Sequence, residues 1–428
     1  MKKLFFSPAF ILFILALTAS PQASPQASPQ TSPQTSPQAK GSFTLQELID
    51  IGLNQNPEIT ETRFNVESLH EAYLASKRLS NPEFEYTTGD AESYEGDIQR
   101  TTRNISIHQP IENPIKRHYR LQMNKKSWEA AELDYKYSKL ETATTIKEIF
   151  YEILFLKQNA ELSYQKKDSI QKIHQLVQKR ADLGEVKELE ALKLSVEMLR
   201  AQNEWNEIKT ELDLAKDRLN KFLGDSLPKD FEVQGELGYF PLNATENEEY
   251  FINKSLNSHP LIKQKKILVE EAQDNISYVK WQRIPDFNLA AFSQKMLHGT
   301  NQGIGISFDI PLWDFKSREI FEAENKALSR SQELRGLEIE LANQIRSKIN
   351  RLKLSGETIK LFEDALLKQA HESLRISRLS YSHGEISLIE FLDTQRTYYS
   401  ILSDYQESLL KWNLDKVSLE RALGEELK

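Results

Sequence analysis

No cysteine occurs in the 428 residues. Its absence excludes disulfides, thiolate metal sites, cysteine nucleophiles and a lipid-acceptor cysteine behind a signal sequence. Metal-ligand spacing is missing too: the 8 histidines are scattered, and no Gly-rich phosphate loop follows a strand pattern. Nothing here implies an enzyme, a cofactor or a bound metal. A basic excess is also lacking, since the net charge is −8, which argues against a nucleic-acid partner. Long apolar runs are absent beyond the N-terminus, where Leu4 to Ala19 holds roughly 16 residues and Pro8, short of the roughly 20 that a spanning helix needs. With Lys2 and Lys3 before it and Thr18-Ala19-Ser20 after it, this run reads as a signal peptide over residues 1–19.

What is present is a duplication. Asn56-Pro57 recurs as His259-Pro260, Asn81-Pro82-Glu83-Phe84 as Ile284-Pro285-Asp286-Phe287, and Gln109-Pro110-Ile111 as Ile310-Pro311-Leu312. Leu183-Gly184-Glu185 returns as His383-Gly384-Glu385, and the stretch from Leu219 to Gly224 as that from Leu419 to Gly424. The offset drifts only from 203 to 200, so each half is one structural unit. The expected organisation is a signal peptide (1–19), a Ser-Pro-Gln-Ala/Thr linker (20–42), a first repeat (43–224), a connector (225–247) and a second repeat (248–428). The linker, with proline every fourth residue, is expected to be a polyproline-like tether without a core.

Proline is missing from Ile115 to Leu227 and from Leu312 to the end. A proline inside a helix costs about 3 kcal/mol, so both blocks are free to be helical. Gly184 and Gly384 interrupt them near the middle, making each block a helical hairpin (112–224 and 312–424). The outgoing arm of about 74 residues would reach about 110 Å at about 1.5 Å per residue. The return arm of the second copy carries Tyr399, Leu402, Tyr405, Leu409, Trp412, Leu419 and Leu423 at steps of three and four, with Lys416 interrupting one position, the seam of a coiled coil. It covers only half of its partner, and the opening helices, Leu45 to Leu79 and Glu248 to Arg283, are expected to cover the rest.

Between opening helix and long arm the period changes to two. Gly303 to Ile310 places Ile304, Ile306, Phe308 and Ile310 on one face, and its expected hairpin partner from Asp286 alternates Phe287 and Leu289. The first copy matches with Phe84 and Tyr86 opposite Ile105 and Ile107. Two readings follow: hairpins (83–109 and 286–310) packed on a soluble core, or strands of a membrane barrel whose apolar faces meet lipid. Four strands cannot close a barrel, so the second reading requires oligomerisation.

At this point the chain resembles the TolC-type outer-membrane factors, exit ducts of tripartite efflux pumps and type I secretion systems. The opening Phe43-Thr44-Leu45-Gln46-Glu47-Leu48 with Asn56-Pro57-Glu58, and Leu379-Ser380-Tyr381-Ser382-His383-Gly384-Glu385 followed by Leu388-Ile389-Glu390-Phe391-Leu392-Asp393, carry the likeness. The resemblance implies a mainly α fold with a membrane β-barrel. Duplicated helical hairpins would form a periplasmic coiled-coil tunnel, and two β-hairpins per chain would close a twelve-stranded barrel in a homotrimer. It implies a periplasmic adaptor and an inner-membrane transporter as partners. Gln109-Pro110-Ile111-Glu112 with Lys116, Arg117 and Arg120 is similar to the divalent-cation efflux branch, from which Asn113 and Pro114 depart. Other functions consistent with the residues are the outer component of a type I protein secretion system and a periplasmic coiled-coil spacer without a pore.

The resemblance also implies sites. Glu390 and Asp393 stand where the motif places the acidic residues of the periplasmic mouth. In a trimer they would form two rings of carboxylates that favour cations and raise one another's pKa; without the resemblance they read as a solvated helix face. Glu190 and Lys193 are their first-copy equivalents, and the lysine would pair with a carboxylate to hold the mouth shut. Arg180, Leu183, Gly184, Glu185 and Val186, with Arg378, His383, Gly384, Glu385 and Ile386, would meet the adaptor. From the residues alone, the glycines permit a left-handed turn and Arg378 caps a helix end.

Overall fold

The computed structural model describes residues 41–92, 99–240, 248–296 and 298–427, the side chains of 99 and 100 apart. The signal peptide and nearly all of the linker expected above lie outside the described residues, as do residues 93–98 within the first expected β-hairpin and 241–247 of the connector.

Each repeat begins with two helices where the sequence suggested one. In the first, α1 (Leu45–Gln55) is opened by a capping box, in which Thr44 and Glu47 satisfy each other's backbone N–H. Asn56 then ends α1 in an extended conformation because Pro57 follows, and it caps α2 (Pro57–Ser76). Its Oδ1 accepts from the Glu58 N–H at 2.8 Å, and its Nδ2 donates to the Phe222 carbonyl at 2.9 Å. The second repeat does the same with histidine, between α5 (Glu248–Ser258) and α6 (Pro260–Trp281). Nδ1 of buried His259 accepts from the Leu261 N–H, and its Nε2 lies 3.3 Å from the Arg421 carbonyl. One ring nitrogen accepting and the other donating is the neutral imidazole, and burial lowers the pKa of His259 in the same sense.

The helical hairpins follow as expected. In the first, α3 (Pro114–Asp182) runs 69 residues and returns through α4 (Glu188–Phe222). In the second, α7 (Ser317–Leu361) passes through a single π-helical turn (Phe362–Leu366) into α8 (Leu367–Ser382) and returns through α9 (Leu388–Leu423). Both α4 and α2 pack along α3, so the short return arm and the opening helix share its length. The core lies at this level, where Leu48, Ile146, Ile153, Leu219, Leu223, Ile345, Ile359 and Trp412 are fully buried. The connector joins it: β4 (Glu232–Gln234) pairs in parallel with β1 (Ser42–Thr44), and Tyr239 meets the Trp412 ring edge-on at 5.3 Å.

At the other end, β2 (Glu83–Glu92), β3 (Gln99–Ile111), β5 (Phe287–Lys295) and β6 (Thr300–Ser307) form an antiparallel sheet in that order. Directly paired residues share a face. The register sets Phe84 against Ile107, Tyr86 against Ile105, Ile107 against Ala291, Ile111 against Phe287 and Leu289 against Ile306. One face is therefore apolar and exposed, with Ile304 at 90% and Ile306 at 69%. The other carries Glu83, Glu85, Asn104, Ser106 and His108, and its Phe292 ring lies over Gly303.

The strand boundaries differ from expectation: β3 continues past Gln109 to Ile111, and β6 stops short of Ile310. Ladder pairing of β6 ends at Ser307, so Phe308 and Ile310 lie beyond it. The partner strand stops at Phe287, because Asp286 turns away to accept from the Asn113 N–H at 2.8 Å and to bind Lys116 at 2.6 Å. Phe308 still meets the Phe287 ring at 5.9 Å. The residues that resembled the cation-efflux branch build this corner: Arg120 pairs with Glu112 at 2.6 Å and donates to the Ser76 carbonyl, and Arg117 donates to that of Lys77.

Candidate periplasmic gate and adaptor-contact tips

Both hairpins turn by the same device. Gly184 and Gly384 have φ of +74° and +76°, and the flanking N–H groups close the helix ends in matching bonds. Glu185 bonds the Arg180 carbonyl and Gly184 that of Ala181, as Glu385 bonds Ser380 and Gly384 bonds Tyr381. This is the Schellman ending that a left-handed residue allows. No atom lies within 4 Å of a Cβ built at either glycine, so backbone conformation, not space, demands glycine there.

Around these turns the expected tip residues come together in each copy. Arg180 Nε binds Glu185 at 3.1 Å, Ser380 donates to Glu385 at 2.9 Å, and Val186 and Ile386 pack on the apolar cluster beneath. Leu183 and Arg378 are exposed. The side chain that reaches the end of α8 is His383, whose Nδ1 lies 2.8 Å from the Leu379 carbonyl, rather than Arg378. The cluster joins both repeats: Ile170, Val177, Ala191 and Leu194 with Leu374, Leu388, Phe391 and Leu392. Tyr381 stacks on Phe391 at 5.2 Å, and Gln395 donates to Ser169.

Within one chain the expected gate residues Glu390, Glu190 and Lys193 line separate surfaces. Glu390 is the N3 member of a capping box: it accepts from the Ser387 N–H at 2.8 Å, while the Ser387 hydroxyl accepts from the Glu390 N–H at 3.3 Å. Within one chain, the backbone N–H of Ser387 and then its hydroxyl hold the Glu390 carboxyl below its usual range. Ser387-Leu388-Ile389-Glu390 is the S-x-x-E signature of such a box and was readable in the sequence. The first copy has Lys187 in that place and no side-chain cap.

Glu390 borders a cavity of about 760 Å³ along α8 with Ile376, Ser377 and Thr394. Glu190 and Lys193 border a different groove, of about 500 Å³, between α4 and α9. Lys193 is exposed there, and the ion pair spanning the groove is one that sequence reasoning missed. Glu197 of α4 receives both Arg396 Nε and Nη2 of α9, at 2.9 and 2.7 Å. Its hydrogen bond to Arg396 lowers the Glu197 pKa and raises that of Arg396, on which Asp393 also acts.

The profile of the outer membrane efflux protein family matches residues 48–225 and again 251–425, once in each repeat. The chain belongs to that family. It is an outer-membrane efflux channel with its helical part in the periplasm. The cobalt-zinc-cadmium resistance protein CzcC of Cupriavidus metallidurans is 20% identical over 388 residues, covering 90% of this chain and 91% of that protein. Among solved structures, the outer membrane protein VceC of Vibrio cholerae superposes with a TM-score of 0.74 at 16% identity, over 90% of this channel and 97% of that chain. The open state of the MtrE channel of Neisseria gonorrhoeae gives 0.75 at 15% identity, over 90% and 89%. Both solved structures are outer-membrane proteins, and MtrE is a channel.

Proposed function

We propose that the channel is the exit duct of a tripartite pump, assembled as a homotrimer with a twelve-stranded barrel. It receives cargo at its tips from a periplasmic adaptor and an inner-membrane transporter. The observation that carries this reading is the sheet: four strands with one apolar exposed face and two unpaired outer edges, β2 and β6, at the end of long helical hairpins. An open edge facing lipid leaves backbone groups unsatisfied, which a closed ring of copies cures. A second unpartnered surface supports the same assembly. Leu189, Leu192, Val196 and Leu199 form an exposed seam on α4 at steps of three and four, suited to a helix of the next copy.

In this duct the adaptor contacts are Arg180 to Val186 and Arg378 to Ile386. The mouth is held by the Glu197–Arg396 pair with Asp393 beside it, and Glu390 fixes the start of α9. Divalent metal cations are the cargo class favoured by the similarity to CzcC. The test is twofold. Native mass measurement in detergent should give three copies, and a strain deleted for the gene should regain growth in cobalt, zinc or cadmium when it is restored. A monomer in detergent would sink the duct. Restored tolerance to organic toxicants with none to metals would sink the cargo assignment alone.

A further inference from the structure

The two hairpins share one register. In the first, Tyr86 opposes Ile105, Thr88 opposes Arg103 and Gly89 opposes Thr102. Moving each first strand by the offset of Phe84 to Phe287 and each second strand by that of Ile111 to Leu312 turns these pairs into Leu289 with Ile306, Ala291 with Ile304 and Phe292 with Gly303. All three are observed partners. The repeats are thus interchangeable as sheet elements. Where they meet inside the chain, the second strand of the first repeat pairs with the first strand of the second: Ile111 with Phe287, Gln109 with Leu289, Ile107 with Ala291.

We propose that the open edges β6 and β2 join between neighbouring copies in this same register. Leu312 then opposes Phe84 of the next copy, Ile310 opposes Tyr86 and Phe308 opposes Thr88. This rests on the homotrimer reading and adds to it which residues meet. Three observations support it. The parity is right, because Phe84, Tyr86, Ile304 and Ile306 lie on the apolar face, and a slip of one residue would turn one apolar set toward the polar face. The lengths explain themselves as well: the end of β3, Gln109–Ile111, is paired with β5 alone. Its equivalents Ile310–Leu312 have no such strand within the chain and fall outside β6, although the apolar alternation continues to Leu312, with Ile310 at 67% exposure. Pro110 also tolerates its place opposite Asn288, so Pro311 can take the same place opposite Glu85.

The register sets the shape of the barrel. Following partners from Phe84 through Ile107, Ala291 and Ile304 to Glu92 of the next copy climbs eight residues per chain. Three chains closing at that stagger, with strands about 4.8 Å apart and about 3.3 Å rise per residue, give a tilt of about 54° and a backbone diameter of about 30 Å.

Because the chain has no cysteine, every introduced thiol is unambiguous. Full-length protein carrying Leu312→Cys with Phe84→Cys, or Ile310→Cys with Tyr86→Cys, is oxidised in outer membranes and resolved on denaturing gels without reductant. Opposed residues hold their Cβ atoms about 4.5–5.5 Å apart and diagonal ones about 7–8 Å, against the roughly 3.5–4.5 Å that a disulfide needs. Both pairs are expected to yield covalent dimers and trimers at least about fivefold above the diagonal pair Leu312→Cys with Tyr86→Cys. A stronger product from the diagonal pair overturns the register. So does the lack of any covalent product in variants that native mass measurement finds trimeric. Monomeric wild-type protein in the same measurement overturns the homotrimer itself.

Discussion

Glu197 and Arg396 stand within one residue of being equivalent positions of the two repeats, yet they carry opposite charges and clasp each other by two hydrogen bonds. The pair links the return helix of one repeat to that of the other. Only about an eighth of the Glu197 side chain remains exposed, at 12%, so the pair is partly shielded from solvent.

If this clasp restrains the tips, Arg396→Ala and Glu197→Gln should each raise basal conductance in planar bilayers several-fold, and the double variant should add nothing further. The pH dependence has a definite sign. A carboxyl with a depressed pKa contributes above its unfolded value, and the contribution is lost as pH falls through the folded value. Wild-type conductance should therefore stay low at neutral pH and rise only below about 4.5, the ordinary carboxylate value. Arg396→Ala should lack that rise. Equal conductance in wild type and single variants removes the clasp from the gate.

Ser387→Ala should cost about 1 kcal/mol of local stability by removing the cap. Hydrogen exchange at the Glu390 amide measures it. Glu390→Gln keeps the box, since glutamine serves at N3, so exchange there and conductance should both stay near wild type. Asp393→Asn is expected to reduce cation preference. A large conductance change from Glu390→Gln at unchanged exchange would return that residue to the gate.

Substituting Gly184 or Gly384 by valine should cost about 1–2 kcal/mol through the left-handed backbone alone. Asparagine should cost less, because nothing crowds a side chain at either site. Thermal unfolding ranks the variants. An equal cost for asparagine and valine would mean that packing, not φ, selects glycine there.

Ile306→Lys should lower outer-membrane trimer yield, since a lysine facing lipid at the midplane costs about 2–4 kcal/mol. Ser307→Lys, pointing to the other face, should assemble normally. Similar yields from both would mean that the sheet face is not in lipid.

Lys147 lies buried between Glu420 at 2.9 Å and Glu426 at 2.6 Å. Lys147→Met leaves the buried Glu420 without its cation and should destabilise by about 3–5 kcal/mol. Lys147→Met with Glu420→Leu should recover most of that loss, as read by thermal unfolding. No recovery would show that the cost is packing around Lys147, not a stranded charge.

Much of this was legible because the chain repeats. The offset predicted two equal hairpins, and alternation at Ile304 and Ile306 found the exposed apolar face. Proline and glycine placed the long arms and both tip turns. Three features escaped. Asn56 divides an opening helix because an asparagine before a proline can end one helix and cap the next, which period counting does not register. The end of β6 is set by Asp286 turning toward Lys116, a contact over 170 residues. The Glu197–Arg396 pair depends on how α4 and α9 are rotated and staggered against each other, which no local pattern encodes.

The common register of the hairpins has an entropic consequence. A ring of six identical hairpin units would require six chains to surrender translational and rotational freedom, whereas units tethered in pairs require three. Half of the joints between units are then closed by connectivity before any encounter. Pairing also frees the two members to diverge, so that Arg396 of one return helix can face the unlike Glu197 of the other. Identical units would instead set like charges against each other at that contact.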